Sequence, residues 1–145
     1  AVDAVAYAAG SAKNEAAARV LTERLEDKDW PVRRAAVGAL AKVAEPAEVA
    51  GSIKHLLYDE EEEVRTAVVR VLAEVCEAGD KSVVESFVER LQDRHHKVRR
   101  AAVLALAGRA DRSDIAVLSA LRSALRDQED SVREAAQQAV DGLTA

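Results

Sequence analysis

Methionine is absent from the 145-residue chain, cysteine occurs once, proline twice and glycine six times, and aromatic residues make up only 3%. Each scarcity excludes something. The lone Cys76 rules out an intramolecular disulfide framework and suits a reducing compartment, so a cytoplasmic location is expected. With so few aromatics and so much alanine, the core fits closely packed helices better than a β-sandwich. No run of 18 apolar residues exists to span a membrane, and no signal peptide is visible. Neither charge sign dominates: the formal net charge is −5, which argues against a general phosphate-binding surface and hence against nucleic acid as a partner. The missing methionine and the start at Ala1 lead to the expectation of a segment excised from a longer protein.

What is present is a repeat. The stretch LEDKDWPVRRAAVGAL (25–40) returns as LYDEEEEVRTAVVRVL (57–72), LQDRHHKVRRAAVLAL (91–106) and LRDQEDSVREAAQQAV (125–140). The valines at 32, 64, 98 and 132 are spaced by 32, 34 and 34 residues. Leu25, Leu57, Leu91 and Leu125 stand seven residues before them, and Asp27, Asp59, Asp93 and Asp127 five before. Arg33, Arg65, Arg99 and Arg133 follow directly. A period of this length marks a repeat architecture.

Each unit carries two helical patterns. The first places apolar residues at i, i+1, i+4 and i+8, as in Val83, Val84, Phe87 and Leu91, or Val49, Ala50, Ile53 and Leu57. The second runs through Val32, Ala36, Leu40 and Val43, and again through Val98, Ala102 and Leu106. A single hairpin cannot bury such a stripe, whereas stacked hairpins can. The expected fold is therefore an all-α solenoid of antiparallel helix pairs in one domain, 1–145. Repeats fall at approximately 11–44, 45–77, 78–109 and 110–145, and residues 1–10 read as the end of a truncated repeat. Ala35, Ala67, Ala101 and Ala135 are expected to let neighbouring helices approach closely.

The turn aspartates are expected to accept backbone N–H bonds at the start of each second helix, where four donors lack partners. Asp29 reads as the N-cap of the first of these, with Trp30 and Pro31 in its opening turn. Each arginine after the valine can reach the turn aspartate of its own or the adjacent unit. Asp27, Arg33, Asp59, Arg65, Asp93, Arg99, Asp127 and Arg133 thus form an expected structural ladder rather than a catalytic set.

The pattern Leu-x-Asp-x4-Val-Arg-x-x-Ala on a two-helix unit resembles HEAT-like repeats, most closely the short, regular variety named after phycobilisome (bilin) lyases. The resemblance covers essentially the whole chain. It implies a right-handed superhelix with second helices on the concave face, and most such arrays bind proteins. A few relatives are enzymes, including bilin lyases, di-iron hydroxylases and a group of DNA glycosylases. The hydroxylases' helical His-Glu pairs are missing here. The connecting loops AEPAE, CEAGDKS and ADRSD also depart from the common Gly-Asp-Pro form.

No residue constellation points to catalysis, a metal or a cofactor. His95 and His96 sit together in a turn without the companions a zinc site needs, His55 is isolated, and Cys76 ends an apolar row. The positions of the second helices opposite the core are more informative. They carry Arg34, Thr66 and Arg100, then Val37, Val69 and Val103, then Gly38, Arg70 and Leu104, while the fourth unit offers Glu134, Gln137 and Gln138. The first three units therefore predict an apolar, Arg-edged concave strip of Arg34, Val37, Thr66, Val69, Arg70, Arg100, Val103 and Leu104 for a protein segment, with the Val column reading equally well as packing of one second helix on the next, and the fourth a polar cap. The function expected is a non-enzymatic protein-interaction scaffold, monomeric as a fragment. Its alternatives are a bilin-lyase-like subunit holding a small molecule and a purely structural stretch of a larger array.

Overall fold

A computed structural model describes residues 14–145. Among the described residues there are eight α-helices, one short 3₁₀ helix and no strand. They are α1 (14–24), α2 (Trp30–Val43), α3 (Pro46–Ile53), the 3₁₀ helix Lys54–Tyr58, α4 (Glu62–Val75), α5 (Lys81–Arg90), α6 (His96–Arg109), α7 (Ile115–Ala124) and α8 (Asp130–Thr144). The chain divides into two compact units, one ending at Val71 and one from Leu72 to Ala145, and the border falls inside α4. The segment 1–10, read above as a truncated repeat, lies outside the described residues.

In the first unit, α2 starts where the sequence predicts. Asp29 has the extended backbone of an N-cap, and Pro31 lies in the first turn, where a missing N–H costs nothing. Its side chain, however, makes no capping bond. Pro46 opens α3 in the same way, directly after α2 has ended at Val43. The core gathers Ala18, Leu25, Ala36, Leu40, Val49, Ile53, Leu57, Val64 and Val68, all buried. One departure from simple periodicity concerns α3. A continuous helix to Leu57 is replaced after Ile53 by the 3₁₀ segment. The second repeat has Leu56 where the other repeats have Arg24, Arg90 and Ala124, and both Leu56 and Leu57 are buried. Three residues per turn aligns Leu56 beneath Ile53 and brings both leucines inward.

The second unit holds two full hairpins, α5–α6 and α7–α8, and α6 packs against α5, α7 and α8. Asp80 and Asp114 cap α5 and α7, their carboxylates accepting the N–H of Val83 at 3.2 Å and of Val117 at 3.1 Å. Gly79, just before, adopts φ +77°, a left-handed conformation that only glycine enters freely. Phe87, Leu106, Leu121, Val98 and Val132 are fully enclosed. The α6–α8 interface is built from small residues: Ala101, Ala102 and Ala105 of α6 and Ala135, Ala136 and Ala139 of α8 are buried. The alanine column is not uniform, since Ala67 is half-buried and Ala35 is exposed.

Candidate binding faces and the turn ladder

The four turn aspartates stand two residues before the position that an ordinary capping side chain occupies. Asp27 accepts the N–H of Asp29 at 2.9 Å, Asp59 that of Glu61 at 3.0 Å, Asp93 that of His95 at 2.9 Å and Asp127 that of Glu129 at 3.0 Å. Each carboxylate thus closes a turn on the N-cap residue itself. That bond occupies one lone pair, and at Asp59 and Asp127 both oxygens also accept from an arginine.

Arg33 and Arg99 display the complete arrangement. Arg33 sends Nε and Nη2 to the two carboxylate oxygens of Asp59, at 2.8 and 3.0 Å. Its Nη1 donates to the carbonyls of Asp27 at 2.8 Å and Lys28 at 3.2 Å. Arg99 repeats the fork on Asp127, at 2.8 and 3.0 Å, and donates to the Asp93 carbonyl at 3.0 Å. The guanidinium therefore joins the backbone of its own turn to the carboxylate of the following one. Arg65 and Arg133 likewise donate to their own turns, at the carbonyls of Asp59 (2.7 Å) and Asp127 (2.6 Å). Arg133 also pairs with Asp130 in the first turn of α8.

These pairs are shielded: side-chain exposure is 10% and 6% for Arg33 and Asp59, and 8% and 11% for Arg99 and Asp127. The Asp59 hydrogen bond raises the pKa of Arg33 further, against the desolvation that would lower it, and the charges of Asp59, Glu60 and Glu61 add to the rise. Burial alone would push the Asp127 carboxyl up. The Arg99 hydrogen bond, the Glu129 N–H and the charges of Arg99 and Arg133 outweigh it, so the group lies below its usual value.

The second-helix positions separate into two sets. Val37, Val69 and Val103 are wholly buried and Thr66 nearly so; they belong to the core, and the expectation that they line a binding strip is corrected. The cause is visible around Val103: α6 has helices on three sides, so its buried arc is wider than the stripe of a single hairpin. The Thr66 hydroxyl has no hydrogen-bond partner among the described residues. Arg34, Arg70, Arg100 and Leu104 stay exposed, Leu104 at 45%. Among the described residues the three arginines take part in no ion pair or hydrogen bond.

The histidines and the cysteine hold local positions. His95 is the N-cap of α6, accepting the Lys97 N–H on Nδ1 at 3.2 Å, and its ring stacks on His96 with centroids 4.6 Å apart. His55 meets Glu26 at 2.6 Å on the surface. Cys76 is buried, and desolvation pushes its thiol pKa up, the reverse of what a nucleophile needs. Among the described residues no group of three or more His, Cys, Asp or Glu could hold a metal ion, and no helix is long and apolar enough to cross a membrane.

Two features escaped sequence reasoning. Arg109 donates to the carbonyls of Ala73 and Glu74 at the end of α4, and its own carbonyl accepts the Gly79 N–H at 3.0 Å. The signal was present, since Arg109 breaks a column that otherwise reads Val43, Val75 and Leu143. The other is a groove of about 640 Å³ between α5 and α7.

Paired antiparallel helices with a repeating turn define an α-helical repeat protein. The family model for HEAT repeats matches residues 3–51 and 49–141, and the chain belongs to that family. No curated protein matches its sequence. Among solved structures it is similar to an engineered protein from a structural genomics consortium, with 23% identity, a TM-score of 0.65, and coverage of 88% of this chain and 62% of that one. It is also similar to a designed armadillo repeat protein in complex with the peptide (KR)4, with 22% identity, a TM-score of 0.64, and coverage of 85% and 62%. The chain thus spans less than two thirds of the length of either, and at these identities the likeness is one of fold.

Proposed function

We propose that this chain is a non-catalytic scaffold that binds a protein segment along the exposed face of its second helices. The reading rests chiefly on Leu104, a large apolar side chain 45% exposed on α6, one helical turn from the unpaired Arg100. Exposed leucine beside an uncommitted guanidinium is the composition of an interface core rather than of a solvated helix face. Arg34 and Arg70 contribute further free forks in the first unit. Guanidiniums without carboxylates favour a segment carrying its own, so the partner is acidic with at least one apolar anchor. A designed relative of the same fold holds a peptide, of the opposite charge.

The test is a peptide-library selection on the whole chain. Selected peptides should be acidic, and the double variant Arg70→Glu with Leu104→Asp should weaken them at least tenfold, about 1.4 kcal/mol. Both positions are exposed, so thermal unfolding should change little. The comparison is Glu15→Lys with Glu48→Lys on the first helices, also exposed. Peptides lost by that variant and kept by the other would overturn the assignment.

A further inference from the structure

We propose that the groove between α5 and α7 is a second docking site, independent of the second-helix face, and that it takes a basic amphipathic segment of a protein partner. Its α5 wall is formed by Lys81, Val84, Glu85 and Val88, the i, i+3, i+4, i+7 spacing of one helix face. Ala116 and Val117 of α7 face them. The apolar floor is therefore Val84, Val88, Ala116 and Val117. Its volume of about 640 Å³ lies in the range of about 300–1,000 Å³ usual for ligand pockets.

The rim selects the sign of the partner. Glu85, Glu89, Asp111 and Asp114 line the groove together with Lys81, and Glu89 is also paired with Arg90 at 3.8 Å. Both helix N-termini at this end would otherwise attract an anion, but each is already occupied by its own carboxylate, Asp80 on α5 and Asp114 on α7. Asp111 is held ionised, its carboxylate accepting the Ser113 N–H at 2.8 Å and the Ser113 hydroxyl at 2.7 Å. An acidic ligand would meet like charge at Glu85, Asp111 and Asp114. A segment that lowers two or three apolar side chains onto the valines and flanks them with lysine or arginine meets its complement.

Fluorescence anisotropy on the whole chain tests this with three labelled peptides: a helical one with leucines at i, i+3, i+4 and i+7 between lysines, the same peptide with glutamates for lysines, and a scramble of the first. The first should bind saturably below about 100 μM, and the other two at least tenfold more weakly. Ala116→Arg, which places a bulky cation on the exposed lip, and Glu85→Lys with Glu89→Lys should each weaken binding at least tenfold. Circular dichroism should be unchanged in both, since all three positions are exposed. Arg70→Glu with Leu104→Asp should leave this binding intact, which separates the two sites. No saturable binding below about 100 μM, equal binding of the scramble, or indifference to Ala116→Arg would each overturn the proposal.

Discussion

Arg33 and Asp59 are 26 residues apart in sequence and share two parallel hydrogen bonds, with side chains 10% and 6% exposed. The same guanidinium holds the carbonyl of Asp27, the turn aspartate of its own hairpin. One side chain therefore ties two consecutive turns, by two bonds to a carboxylate and two to backbone carbonyls. Arg99 likewise ties the turns at Asp93 and Asp127. A lysine would supply the charge but not the planar fork that spans both oxygens while a third nitrogen reaches back.

Removing the carboxylate should therefore cost more than an exposed ion pair would. Asp59→Ala or Asp127→Ala leaves a shielded guanidinium without its partner and a turn N–H without its acceptor, and should destabilise by about 2–4 kcal/mol in urea unfolding. Glu134→Ala, an exposed change on α8, should stay within about 0.5 kcal/mol. The double variant Arg99→Met with Asp127→Leu should lose less than Asp127→Ala alone, because neither charge is then stranded. Equal small losses for Asp127→Ala and Glu134→Ala would show that the fork contributes nothing beyond surface charge.

The pH dependence follows from the same residue. Asp127 has a folded pKa below its ordinary value of 3.8. In the unfolded chain it takes up a proton first as pH falls, so protonation favours unfolding. The stability it supplies is fully present above the ordinary carboxylate value and is lost as pH drops through the depressed folded one. Melting temperature should fall on acidification below about pH 4, and Asp127→Asn should flatten that part of the profile while lying lower at neutral pH. An unchanged slope in the variant would assign the acid sensitivity to other carboxylates.

How much was legible in the sequence depended on how many times each signal was repeated. The Leu, Asp, Val and Arg columns recur four times, and from them the helix pairs, the turns and the ladder positions could be located. The direction of the fork could not, because an own-turn and a next-turn aspartate recur in the same register with every arginine and the sequence does not say which lies within reach; the arginine uses both, one through a carbonyl and one through a carboxylate. Val37, Val69 and Val103 were misplaced because a wheel drawn for one hairpin assigns a single buried stripe, whereas α6 is enclosed on three sides. Arg34, Arg70, Arg100 and Leu104 were placed at the surface by the same wheel because they lie farthest from the packed arc. The 3₁₀ segment and Arg109 occur once each, and the sequence marks them only as breaks in a column, at Leu56 and at Arg109, without saying what the odd residue does.

Arg109 offers the sharpest contrast between a repeated device and a single one. Its guanidinium donates to the Ala73 and Glu74 carbonyls, groups that the end of α4 leaves without intrahelical partners. The positive charge also lies at the negative end of that helix. Its main-chain oxygen receives the Gly79 N–H at 3.0 Å, so the α4–α5 connection is held from both sides by one residue. Arg109→Ala removes the side-chain part only. It should cost about 1–2 kcal/mol, the value of a cap with a charged donor. Amide exchange should quicken at residues 76–80, which include the Cys76 N–H bonded to the Leu72 carbonyl, while the α7–α8 hairpin stays protected. Arg109→Lys should recover the charge but not the two-carbonyl geometry, and so only part of the loss. If exchange quickened equally in α8, or if the lysine restored everything, the effect would be general destabilisation or charge alone, and the capping account of Arg109 would fail.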